Sequence, residues 1–237
     1  MKIKEILSED RQAFVPAGTD LTTNEEFNKR FEQYVVPMLL KNCSQAIQAY
    51  KIVYPKVVYR GVKTGIEEFI SPVISEKRIS YLDSGIRELI NRTLVNMGAT
   101  AHRSNSIFCT STTIMARSWG TEYIVFPYDN FSVTWFSNVS EGYLLDYIIE
   151  LIQDEKYNAV GSEEQQKILD NWKKQKVFEK IFIKSGLNHA NNTQGIVGAL
   201  QSGAEELLIS GSNYIGLKNH LYKNVIPKWL ASKTPGQ

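Results

Sequence analysis

Cysteine and histidine are both scarce in this chain of 237 residues, at two and three respectively. Cys43 and Cys109 stand far apart, without metal-ligand spacing and with no secretory segment before them, which argues against a disulfide framework and for a reducing compartment. His102, His189 and His220 are too few and too scattered for a His-rich metal site, so no metal is expected. No apolar run reaches the about 18–20 residues that span a bilayer, so no membrane partner is expected. Charge of one sign is lacking too. The net charge of +2 comes from 27 Lys and Arg against 25 Asp and Glu, a balance that by itself demands no nucleic acid. Internal repeats and low-complexity tracts are also missing. What remains is an ordinary globular composition, long enough to bury a full core as one large domain or as a main domain with a small appendage.

The chain is organised around Arg103-Ser104-Asn105-Ser106-Ile107-Phe108-Cys109-Thr110-Ser111-Thr112. Ile107 to Cys109 reads as a short buried strand, and the hydroxyl run after it falls where a helix, Ile114 to Trp119, begins. Either Thr112 or Thr113 caps that helix, or the hydroxyls act in a cleft. Before this stretch, residues 1–20 read as an arm. The spacing Thr23-Asn24-Glu25-Glu26 is that of a capping box, and the apolar stripe after it predicts a helix over 23–49 with a kink or break near Pro37. Lys56 to Gly61 has strand character, with Arg60 near its end. That arginine is either an ordinary strand-end charge or a fixed fork for phosphate or ribose oxygens. Asp83 or Ser84 opens a helix whose stripe runs through Ile86, Ile90 and Leu94, and Gly98 ends it.

After Gly120, the segments 122–127 and 131–136 read as two strands of a hairpin turning at Tyr128-Asp129-Asn130. Residues 143–153 predict a buried helix, and 163–180 a surface helix whose lysines, Lys173, Lys174, Lys176 and Lys180, form a solvated face. Ser185 to Ser202, rich in Gly, Asn, Gln and Ser, reads as a long polar loop. Glu205-Glu206-Leu207-Leu208-Ile209 then opens a strand, with Asn213 to Leu217 as its hairpin partner and a short helix or tail behind. The two carboxylates are either a solvated strand entrance or part of a site.

Arg60 in one strand, Thr110-Ser111-Thr112 after a second and Glu205-Glu206 at the start of a third stand in the order of the Arg–Ser–Glu branch of the ADP-ribosyltransferase family, which they resemble. That branch carries an aromatic-Arg-Gly strand, a Phe-x-Ser-Thr-Ser strand and a Glu followed by apolar residues. The resemblance covers roughly residues 50–220 and is nearest to phage-encoded and related bacterial members. It implies an α+β fold of two packed, mostly antiparallel sheets forming a cleft for NAD. An N-terminal arm and helical segment (1–49) would precede a catalytic domain (50–237), with a helical insertion between the second and third motifs.

The resemblance also implies roles. Arg60 would bind NAD phosphate or ribose, and the backbone of Gly61 the nicotinamide carboxamide. Thr110 would hold the catalytic Glu and the nicotinamide ribose, supported by Ser111 and Thr112, while Arg103 and Asn105 would steady the loop or touch phosphate. Glu206, followed directly by apolar residues, would stabilise the oxocarbenium-like centre formed as nicotinamide leaves. Members that modify arginine carry a second Glu two residues earlier, where this chain has Ala204, a methyl group that accepts no proton. The expected activity is therefore mono-ADP-ribosyl transfer from NAD to a macromolecular acceptor, protein or nucleic acid. The setting would be the cytoplasm of a bacterium or of a phage-infected host, as a toxin or phage effector, and the polar loop before Glu206 would recognise the acceptor. NAD hydrolysis, or a non-catalytic binding or virion role on the same fold, are the alternatives.

Overall fold

The computed structural model describes residues 28–29, 31–63, 68–72, 74, 83–137 and 144–232. The arm and the Thr23 capping box lie outside them. A π-helical turn, Phe31–Val35, leads into α1 (Val36–Asn42) and α2 (Ser44–Ile52), followed by β1 (Tyr59–Val62) and β2 (Phe69–Ile70). Next come α3 (Ser84–Asn96), β3 (Ser106–Cys109), α4 (Thr113–Trp119), β4 (Thr121–Pro127) and β5 (Ser132–Phe136). Then follow α5 (Leu144–Asp154), α6 (Ser162–Lys174), α7 (Val177–Lys184), β6 (Leu187–Asn191) and α8 (Asn192–Ser202). The described chain closes with β7 (Glu206–Ser210), β8 (Tyr214–Lys218), α9 (Asn219–Tyr222) and α10 (Val225–Ser232).

The architecture is α+β. Among the described residues two four-stranded sheets form, one in the order β1-β4-β8-β2 and the other β3-β7-β5-β6, and every pairing is antiparallel. The run Leu207-Leu208-Ile209 is fully buried because β7 is covered on both faces, the reading a continuous apolar strand supports. Leu207 and Ile209 belong to the main core, shared by both sheets and helices α1, α2, α8 and α10, while Leu208 joins a second cluster with α3, α6 and α7. The helical insertion α5 to α7 thus lies between the hydroxyl stretch and Glu206 in the chain.

Neither expected hairpin forms. β4 pairs with β1 and β8, and β5 with β7 and β6, so the link between them crosses from one sheet to the other. Asp129 fastens that link. Its carboxylate accepts from the Ser44 hydroxyl at 2.6 Å and from the Gln45 N–H at 2.8 Å, and its own N–H donates to the Asn42 carbonyl at 2.7 Å. The link is thereby fastened to the start of α2, where the local N-cap, Cys43, supplies no capping side chain. β7 and β8 likewise part, β8 entering the other sheet between β4 and β2.

Near Pro37 the helix changes from π to α at Val35–Val36 without a break, and it is interrupted at Cys43, whose buried thiol donates to the Phe126 carbonyl at 3.4 Å. Residues 163–180 form two helices. The chain turns at Lys176 (φ +54°) so that Trp172 and Phe178, on either side of it, meet edge to face at 5.8 Å in the second cluster. The four lysines there are exposed, as expected of a solvated face. The stretch Ser185 to Ser202 is no loop but β6 and α8. Its glycines bring the helix down onto the sheet: a Cβ at Gly195 would lie 2.7 Å from the Ala190 carbonyl oxygen, and one at Gly198 2.7 Å from the Trp135 ring.

Because Asp129 caps α2 from 84 residues away, Asp129→Ala removes two hydrogen bonds and the sheet crossing's anchor together. A loss of about 1–2 kcal/mol is expected in urea unfolding. An unchanged midpoint would show that the link holds without it.

Candidate active site

The candidate site grows from one backbone contact. Tyr59 and Thr110, in strands of different sheets, exchange two hydrogen bonds of 2.8 Å, the Tyr59 N–H to the Thr110 carbonyl and the Thr110 N–H to the Tyr59 carbonyl. This isolated bridge brings β1, and with it Arg60, to the end of β3.

Thr110 is wholly buried. Its hydroxyl accepts from the Thr112 N–H at 3.2 Å and lies 3.5 Å from the Thr112 hydroxyl. Thr112 in turn accepts from the Met115 N–H at 3.4 Å, so it is the N-cap of α4, the structural one of its two expected roles. The Ser111 N–H donates to the Ala204 carbonyl at 3.2 Å, closing the hydroxyl turn onto the strand that carries Glu206. Since Cys109 stands opposite Leu207, the next residues along, Thr110 and Glu206, are cross-strand neighbours.

Glu206 opens β7. Its Oε1 lies 3.3 Å from Nη1 of Arg103, and the two side chains are only 13% and 11% exposed. The Arg103 guanidinium lies 4.5 Å above the Phe108 ring, a cation–π contact in a desolvated place. Burial pulls the Arg103 guanidinium below its ordinary value, and Glu206 works against that shift. Asn105 holds the turn that presents Arg103. Its Oδ1 accepts from the His102 N–H at 2.8 Å and the Ser106 hydroxyl at 2.9 Å, and its amide donates to the Thr100 carbonyl at 2.9 Å. Of the two roles open to Arg103 and Asn105, Asn105 steadies the loop, while Arg103 reaches the carboxylate.

Arg60 joins through the backbone rather than through its side chain. Its guanidinium sits 5.5 Å from the centre of the Tyr214 ring, and Nε and Nη1 are buried with no hydrogen-bond partner among the described residues. Buried donors left unpaired cost about 1–3 kcal/mol each, more for charged groups. Gly61 faces α4: a Cβ there would lie 2.1 Å from the Ala116 carbonyl oxygen and 2.6 Å from Trp119 Cβ, so glycine is required for the helix to pack on β1. Glu205 is half-buried beside the strand, and Ala204 is wholly buried in the core.

The hydroxyl turn, Arg103, Asn105 and Glu206 thus form one contiguous neighbourhood, with Arg60 one residue from its edge. Sequence reasoning misses Phe108 and Tyr214, the two rings that support the arginines. Phe108 stands between the arginine and the hydroxyl run, but Tyr214 reads as part of a hairpin, and nothing in the pattern links it to Arg60. No family model, curated protein or solved structure matches the chain, so its chemistry rests on this geometry. Among the described residues there is no cluster of His, Cys, Asp and Glu fit to hold a metal, and no helix long and apolar enough to cross a membrane.

Arg103→Met leaves the Glu206 carboxylate buried without its cation, and a loss of about 3 kcal/mol is expected. In the double variant Arg103→Met, Glu206→Gln part of that loss returns, because the stranded charge is gone. Additive losses in chemical denaturation would mean that the two side chains are not coupled.

Proposed function

We propose that this chain cleaves NAD and transfers the ADP-ribose to a macromolecular acceptor, as a mono-ADP-ribosyltransferase of the Arg–Ser–Glu type with a toxin or phage-effector role. One observation carries the reading. The Tyr59–Thr110 bridge joins the strand of Arg60 to the hydroxyl turn, and that turn lies beside Glu206, so three motifs remote in sequence converge at one junction of the sheets.

The residues fit the chemistry. Arg60 has buried guanidinium donors without acceptors, the complement of a phosphate or ribose oxygen. The Thr110 hydroxyl accepts from the Thr112 N–H, and in this reading its own hydrogen turns from the Thr112 hydroxyl, 3.5 Å away, toward Glu206. Arg103 pairs with Glu206 and holds its carboxylate in place, so that it accepts from the hydroxyl of the nicotinamide ribose and stabilises the positive charge that grows on that sugar. The bond from the ribose carbon to the nicotinamide nitrogen breaks and its electron pair leaves with nicotinamide. The acceptor's nucleophile then bonds to the same carbon and releases its proton.

Ala204 favours a second reading. Wholly buried, it offers no proton acceptor two residues before Glu206, so arginine is disfavoured as acceptor and water, which gives NAD hydrolysis, is favoured.

The test is labelled NAD incubated with the protein and a cell lysate, followed by nuclease or protease treatment. Glu206→Gln is expected to lower nicotinamide release by roughly 100-fold or more. Label that stays with a macromolecule supports transfer, and nicotinamide release without any label transfer supports hydrolysis. Wild type that leaves NAD intact sinks both.

Binding is read separately. Saturating NAD is expected to raise the unfolding midpoint of wild type and of Glu206→Gln, each against its own ligand-free value, by about 2.7 kcal/mol at 100 times Kd. Arg60→Gln should lose most of that gain, and an undiminished gain would remove Arg60 from the NAD site.

A further inference from the structure

We propose that the acceptor is a single-stranded nucleic acid and that it is held in the open cavity between α3 and the 102–104 turn; this rests on the transferase reading above. The stretch expected to recognise the acceptor is a strand and a helix, and one face of that helix is packed. α8 packs into the main core through Ile196, Ala199 and Leu200, and only Gly203, Ala204 and Glu205 separate it from Glu206. The carboxylate is approached from another side as well.

The turn at 102–104 supplies that side. Arg103 reaches Glu206, while its neighbours His102 and Ser104 line a cavity of about 490 Å³ whose other wall is α3. Glu206 and Leu208 share one face of β7 by strand alternation, and Leu208 packs in the cluster that contains Ile86, Ile90 and Leu94 of α3. The carboxylate and α3 therefore lie on the same side of the sheet, with the cavity on the face of α3 turned away from that cluster.

The lining sets the chemistry of the occupant. Arg87 and Arg92 supply guanidinium groups, and Asn91, His102 and Ser104 supply hydrogen-bonding groups, with the Ser104 hydroxyl 2.9 Å from His102 Nδ1. The single lining carboxylate, Glu88, is paired with Arg92 in a surface ion pair whose side chains are more than half exposed, a contact that a phosphate displaces at little cost. Guanidinium groups for phosphates beside polar groups for sugars and base edges suit a flexible single strand, which can lead one nucleotide past Arg103 toward Glu206.

The test is fluorescence anisotropy with a short mixed-sequence single-stranded RNA, and its DNA counterpart, across a salt series without NAD. The double variant Arg87→Gln, Arg92→Gln is expected to bind roughly tenfold more weakly, with a salt slope shallower by about 1.4, or about 0.7 for each phosphate that is no longer neutralised. Lysine at both positions keeps the charge and most of the slope. Equal affinity and slope for wild type and the glutamine variant would overturn the proposal, as would a lysine variant as weak as the glutamine one. So would labelling of lysate protein that persists in the glutamine variant while no oligonucleotide is labelled. Nicotinamide release without acceptor is read in the same preparations, and the glutamine variant should leave it unchanged. Its absence in wild type would sink the transferase reading, while the anisotropy series still decides whether the cavity binds a nucleic acid.

Discussion

Two hydrogen bonds between Tyr59 and Thr110 are the constraint on which the candidate site depends. The two sheets share a core, but packing alone leaves sheets free to slide by a fraction of a residue, whereas a pair of short backbone bonds fixes one strand end against another. Through that contact β1 inherits the position of β3, and β3 is set in turn by four residues in register with β7. The arginine of one sheet and the carboxylate of the other are thus related through main chain. Main-chain contacts of this kind tolerate side-chain substitution, so the relation between the motifs does not hang on any one of their functional groups.

The two half-buried arginines solve opposite problems. Arg103 is satisfied internally: a carboxylate takes its charge, a ring takes its face, and Asn105 holds its turn. Arg60 has a ring, but two of its donors are enclosed without acceptors among the described residues. A cation with a partner holds shape, and enclosed donors without one are a cost that folding has to support from elsewhere. Here the support is at hand in the apolar core on which β1 and β4 rest.

Strand and helix positions are readable in the sequence because period and capping are local. Asp83 does cap α3, accepting from the Gly85 and Ile86 N–H groups, and Gly98 follows the end of that helix at φ +90°. Ser106 to Cys109 and the run after Glu206 are strands for the reasons their apolar runs give. Partners are not legible. Alternation says that a segment is a strand but not which neighbour it meets, and the turn-like Tyr128-Asp129-Asn130 is fastened to α2 by a carboxylate whose role needs the tertiary fold. The glycines of 185–203 mislead for a similar reason, since a glycine that admits a helix to a sheet looks the same in sequence as one that frees a loop. In the site, hydroxyl and carboxylate positions stand out as polar residues at strand ends. The pairing of Arg103 with a residue 103 positions away does not, because neither side chain carries a local sign of it.

The burial of β7 on both faces has a consequence for accuracy of folding. A strand with one wet face is kept in register by its alternation, since a slip of one residue turns every apolar side chain outward. Leu207, Leu208 and Ile209 give no such protection, because any of them suits either core. What distinguishes the right alignment is the border of the strand, with buried Ala204 and half-buried Glu205 and Glu206 on one side and Ser210 on the other. A slip would draw a carboxylate into hydrocarbon and strand Arg103 without its partner. Glu206 therefore serves the chain twice, as the charge at the heart of the candidate site and as the mark by which the central strand finds its alignment.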